Sequence, residues 1–171
     1  MRGRITDTMK SVLPPPVFET LKVRALGLFQ IPMILFITPR VIESTDDRCI
    51  VEVPLNWRTK NHLGSMYFGA LSAGADIAGG LIAWKVIEKT DPSVKLIFKD
   101  FHAEFLKRAE GDVQFRCDEG AAIRDLVKRA AESGERVSMP VHITATTPKK
   151  TGNEPIGRFI LTLSLKRQVK G

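Results

Sequence analysis

One stretch of the chain gathers residue types that can do chemistry, from Asn61 and His62 through Gly64, Ser65, Tyr67, Phe68 and Gly69 to Asp76. An Asn and a Ser in a polar loop stand just before a long apolar run, which places them at the mouth of a helix. The first backbone N–H groups of a helix have no partner within it, and the positive end of its dipole adds to them. Such a mouth can hold an oxyanion. About two and a half turns on, Asp76 is a carboxylate on an otherwise apolar helix, so it must meet solvent, a partner chain or a hydrogen-bonding group. Plainer roles stand beside these. Asp76 could serve as a structural acceptor, Asn61 as a turn residue bonded to its own backbone, and Tyr67 as packing. Ser65 reads as an N-cap before it reads as a catalytic hydroxyl.

The elements that must carry these residues follow from periodicity. Residues 16–29, after the Pro14-Pro15-Pro16 run, predict one short helix ending near Gly27, and Pro32 and Pro39 then break the chain. Residues 41–44 and 48–55 alternate about the Asp46-Asp47 turn and predict a hairpin. Residues 66–89 predict a long helix, apolar nearly all round and therefore wrapped by a sheet. Residues 94–108 and 113–117 read as strands, with Ile97, Phe101, Ala103 and Phe105 on one parity of the first. Residues 119–133 form an amphipathic helix with Gly134 at its C-cap. Residues 137–146 and 158–165 alternate with period two, joined by a turn over 149–154. That order is one α+β domain on a largely antiparallel sheet.

Composition narrows the partners. The chain has 171 residues, too few for two ordinary domains, and 26 Lys+Arg against 19 Asp+Glu give a net charge of +7. The excess suits an anionic partner or a solvated surface. Nucleic acid is disfavoured, since the basic residues are spread out and Trp57, Tyr67 and Phe68 make no stacking platform. Cys49 and Cys117 form no C-x-x-C or disulfide framework, which suits a reduced, cytoplasmic compartment with buried, inert thiols. His62, His102 and His142 lie about forty residues apart in a pattern without metal-ligand spacing. Residues 1–10 show no apolar leader region. Residues 66–83 are long enough to span a membrane, but Asp76 at mid-span and the eight Gly and Ala residues between 69 and 80 favour a helix buried within a protein.

The motif stretch resembles the PaaI-like acyl-CoA thioesterases of the hotdog fold, and within them the DUF4442-type branch with an Asn…Gly-Ser-x-x-Phe-Gly-Ala pattern. The thioesterase motif runs Asn, a short gap, His-Gly-Gly, then a helix bearing Asp. Here Tyr67 and Asp76 are nine apart and Asn61 and Asp76 fifteen apart, with Gly69 on the second glycine and Ser65 on a hydroxyl position. Tyr67 replaces the His and Phe68 the first Gly.

The resemblance implies an antiparallel sheet wrapped around a long central helix, with an N-terminal helical segment at 1–30 and the hotdog domain at 31–171. It implies a homodimer or homotetramer whose site spans two copies, hydrolysing acyl-CoA with no cofactor beyond the coenzyme A of the substrate. Asp76 would be base or nucleophile. The Phe68 N–H, with that of Gly69, would hold the oxyanion, and Asn61 would orient water or the carbonyl. Ser65 and Tyr67 would touch substrate, and Arg58, Lys60, Lys107 and Arg108 would meet the phosphates. Leu71, Phe98 and Phe105 would line the acyl site. The alternative is an acyl-CoA-binding protein that does not turn its ligand over.

Overall fold

The computed structural model describes residues 13–168. The polar stretch 1–10 lies outside the described residues. Helix α1 (Pro15–Phe29) begins at the proline run, where a missing N–H costs nothing and φ is already helical. Pro32, expected only to break the chain, starts a second short helix, α2 (Pro32–Phe36), for the same reason. Gly27 lets the two helices touch, because a Cβ there would run into the Leu35 backbone.

Strands β1 (Arg40–Ser44) and β2 (Cys49–Val53) form the hairpin. Helix α3 (Phe68–Thr90) follows, then β3 (Val94–Phe105) and β4 (Val113–Cys117). Helix α4 (Gly120–Ser133) ends at Gly134, whose φ of 68° is the left-handed cap expected of it. Strand β5 (Val137–Thr146), a one-turn helix α5 (Pro148–Thr151) where only a turn is expected, and β6 (Pro155–Arg167) complete the chain. The six strands make one antiparallel sheet in the order β1-β2-β4-β5-β6-β3.

The sheet packs on α3, and Phe115, Phe159, Leu161, Ile143 and Ile82 are almost fully buried between them. Gly74 is what allows the contact, since a Cβ there would collide with the Phe115 ring. α3 is long and apolar enough to cross a membrane by length and composition, and it is the core helix, with most of its apolar stretch buried. It starts at Phe68 rather than at 66, because Met66 is bridged to Lys60 and Tyr67 is extended, at φ −65° and ψ 138°.

Two registers differ from expectation. Strand β3 carries a bulge between Phe98 and Phe101, three residues against two on β6. The bulge switches parity, so Val94, Leu96 and Phe98 turn toward the core before it, while Phe101 and Phe105 reach the Phe159 ring after it. Ile97 therefore leaves the expected face and is exposed. Cys49 and Cys117, distant in sequence, sit directly opposite each other on β2 and β4. Both are buried, and burial pushes their thiols up to about 12 and about 11.

Candidate active site

The loop before α3 is built by Asn61. Its Oδ1 accepts the N–H of Leu63 at 2.9 Å and of Ser65 at 3.2 Å, while its Nδ2 donates to Ser65 Oγ at 3.2 Å. Gly64, at φ 79°, closes the turn in a conformation that favours glycine. Ser65 is buried and its hydroxyl is taken up with Asn61, so it does not cap the helix. The N-cap position is Tyr67, with no side-chain cap at all. The Ser65 expectation fails because the helix starts two residues later than the apolar run suggests.

The consequence is an open helix mouth. The N–H groups of Ala70 and Leu71 both go to the Tyr67 carbonyl, whereas those of Phe68 and Gly69 have no acceptor among the described residues. The Tyr67 ring lies across Gly69, where a Cβ would strike it, and meets the Phe68 ring at a tilt of 54° with centroids 4.7 Å apart. The Phe68 side chain is well exposed.

This mouth opens on a cleft of about 510 Å³ shared by Asn61, His62, Tyr67, Phe68, Lys107 and Arg108. The Met66 N–H to Ala109 carbonyl bond, 2.9 Å, ties the basic segment after β3 to the motif loop. Lys107 is paired with Glu154 at 2.5 Å. Arg58 and Lys60 are not part of this cleft. Arg58 lies over Trp57, 5.0 Å from the ring centre, and near Phe36. Lys60 is exposed, its backbone bridging to Met66 and its N–H donating to the Asn56 carbonyl.

Asp76 faces a different cleft, of about 580 Å³, between α1, α2, α3 and the first half of β3. Its lining is mostly apolar, among it Val23, Leu26, Ile34, Leu81 and Phe98, with Gln30, Glu88 and Lys95 the other polar members. Burial alone pushes the carboxyl up to about 6, with no charged neighbour contributing. Of the three side chains expected along an acyl site, Phe98 stands beside Asp76, while Leu71 and Phe105 line the other cleft. Gly80, Trp84 and Glu88 also line the Asp76 cleft, and the four-residue spacing from Asp76 is the signal that could have found them. The contribution of α1 has no comparable sequence signal.

Within one chain, Asp76 and the open N–H of Phe68 are separated by eight residues of helix, about 12 Å at ~1.5 Å per residue. A single carbonyl cannot touch both in that arrangement. A carboxylate that can accept a proton near neutral pH and a mouth that can hold an anion are both present, on separate faces of one helix.

The family described as "Domain of unknown function (DUF4442)" matches residues 21–155. No curated protein matches the chain. Among solved structures, a Pseudomonas aeruginosa protein of unknown function described as a probable thioesterase is 22% identical. It superposes with a TM-score of 0.70 over 91% of this chain and 97% of that one. A Chlorobaculum tepidum protein of unknown function is 13% identical, with a TM-score of 0.75 over 90% of this chain and 97% of its own. A Haemophilus influenzae thioesterase is 15% identical, with a TM-score of 0.63 over 85% and 90%. The likeness is one of fold, the hotdog arrangement of an antiparallel sheet around a long central helix.

Proposed function

The chain belongs to the DUF4442 family, and on that premise we propose that it is a thioester hydrolase acting on acyl-CoA. The observation that carries the reading is Asp76, a lone carboxylate on the core helix, turned to an apolar cleft and pushed up to about 6 by burial. The thioesterase descriptions of structures with this fold support it. Asp76 takes a proton from water as the oxygen attacks the thioester carbonyl. The Phe68 N–H, with that of Gly69, holds the oxyanion. The C–S bond then breaks, and the coenzyme A thiolate leaves with the proton. The products are the free acid and the thiol, and no cofactor or metal takes part.

Two copies complete the site. The 12 Å between Asp76 and the mouth of its own helix calls for the mouth of a facing copy. Strand β3 offers the contact, since it is a twelve-residue sheet edge with Ile97, Phe101 and Phe105 exposed. Lys107 and Arg108, beside the mouth, suit the phosphates of coenzyme A. The Asn61 side chain acts through the loop, setting the turn that leaves the mouth uncapped.

Incubation with a panel of acyl-CoA thioesters tests the reading. Free thiol is expected from the wild type, with the rate in Asp76→Asn lower by about 10²–10⁴-fold, the range of a general base. Binding without turnover, unchanged in Asp76→Asn, gives instead the acyl-CoA-binding protein, the reading that the Tyr67 ring across Gly69 favours.

A further inference from the structure

Asp76, Gly80, Trp84 and Glu88 recur at every fourth position of α3 and all four line the apolar cleft. The stripe is graded from one end to the other. After Asp76 comes Gly80, where a Cβ would rest against the Phe98 ring at 3.4 Å, so Phe98 packs closely on the helix at this point and forms one wall of the cleft. Next comes the Trp84 indole. Last is Glu88, paired with Lys22 at 2.9 Å, and the Lys22 ammonium also lies 4.8 Å from the Trp84 ring centre. An apolar ligand gains by burial along Gly80 and Leu81. Past Trp84 it would have to displace water from a charged pair, which is unfavourable.

We propose that this cleft is an acyl-chain ruler, with the carbonyl end of a straight chain at Asp76 and its terminal methyl against Trp84. The inference rests on the thioester reading above and names the substrate class of the same site. Residues 76 and 84 are about 12 Å apart along the helix at ~1.5 Å per residue. An extended chain advances roughly 1.2 Å per bond, so about ten carbons span that distance. Trp84 and the Lys22–Glu88 pair set the length.

The test reads binding directly. Trp57, 71% exposed and outside the cleft, is replaced by Phe, which leaves Trp84 as the only indole of the chain. Straight-chain primary amides of increasing length are titrated, because a neutral carbonyl head avoids setting a second carboxylate beside Asp76. Affinity, followed by Trp84 fluorescence, is expected to rise about fourfold per methylene. The rise stops at about ten carbons, the length at which the chain reaches Trp84.

In Trp84→Ala, followed by calorimetry, the break moves longer by about five carbons, the span to Glu88. An affinity that climbs unbroken to about sixteen carbons, or a break that does not move in Trp84→Ala, overturns the ruler. A break at about ten carbons with no thiol released from the matching acyl-CoA keeps the ruler and removes the hydrolase. Thiol released equally from all lengths, with no break in binding, does the reverse.

Discussion

The two clefts on α3 treat charge in opposite ways. The one at the helix mouth is wet and basic, with its N–H donors uncapped and Lys107 and Arg108 beside them. The one at mid-helix is apolar and holds a carboxylate that no charged neighbour touches. The difference teaches how one helix carries both halves of the proposed hydrolase site. A donor for a developing oxyanion works by being fixed and unspent. A base for neutral pH works by being removed from water, which raises its proton affinity. The two needs conflict at one spot and stand at two, eight residues apart, which is why the proposed hydrolysis calls for a second copy.

The sharpest way to break this comparison is to delete one donor without disturbing the helix. Phe68 is the first residue of α3, where proline is tolerated, and Tyr67 before it already has the extended backbone (φ −65°, ψ 138°) that a following proline requires. Phe68→Pro therefore removes the N–H and keeps the fold. The expected loss is about 10²–10³ in kcat, the size seen for one oxyanion donor, with little change in thermal stability. If kcat holds, the mouth is not the oxyanion site and the comparison reduces to one functional cleft.

The apolar cleft is sharpened by pH. A carboxyl pushed up to about 6 by burial makes the rate rise about tenfold per pH unit below that value and level off above it. The same shift has a stability sign. Folding favours the protonated form, so this contribution is fully present below the unfolded pKa near 4 and is lost as pH rises through about 6. Two units correspond to about 3 kcal/mol at most, and partial contact with cleft water reduces that to about 1–2 kcal/mol. Asp76→Asn should thus be more stable than the wild type by about 1–2 kcal/mol in urea at about pH 8, and level with it at about pH 4. Equal stability at both pH values would mean that Asp76 is solvated, and the distinction between the clefts would vanish.

What was legible in the sequence follows the reach of local rules. Period-two alternation located β5 and β6, helical spacing located α4 with its Gly134 cap, and a single acid in an apolar run marked Asp76. The β3 bulge was not legible, because Ile97 and Phe101 share a parity in sequence and only the pairing with β6 inserts the extra residue between them. Ser65 read as a cap since it precedes the apolar run, but Met66 is bridged to Lys60 and Tyr67 is extended, held by partners that are remote in sequence or across a turn. The apolar cleft was half visible. The Asp76 face of α3 can be counted in fours, whereas the wall made by α1 depends on how a proline-led helix docks, which no local pattern encodes.

The smallest effect belongs to the basic rim, where two adjacent cations differ. Lys107 is held by Glu154 at 2.5 Å, whereas Arg108 is exposed and has no ion-pair partner among the described residues. A free guanidinium can meet a phosphate in a two-pronged bond, and an ammonium already paired must first give up its carboxylate. Arg108→Ala is therefore expected to raise KM for acyl-CoA by about three- to tenfold with kcat unchanged, the mark of binding shared by ground and transition states. Lys107→Ala should do less. Because the rim is in water, added salt should shrink the Arg108 effect, since the Debye length falls from about 10 Å at 0.1 M to about 3 Å at 1 M. Hydrolysis of a short thioester lacking the nucleotide should not respond to either change. A fall in kcat on that truncated substrate would place Arg108 at the reacting carbonyl instead, and the wet cleft would then hold chemistry as well as recognition.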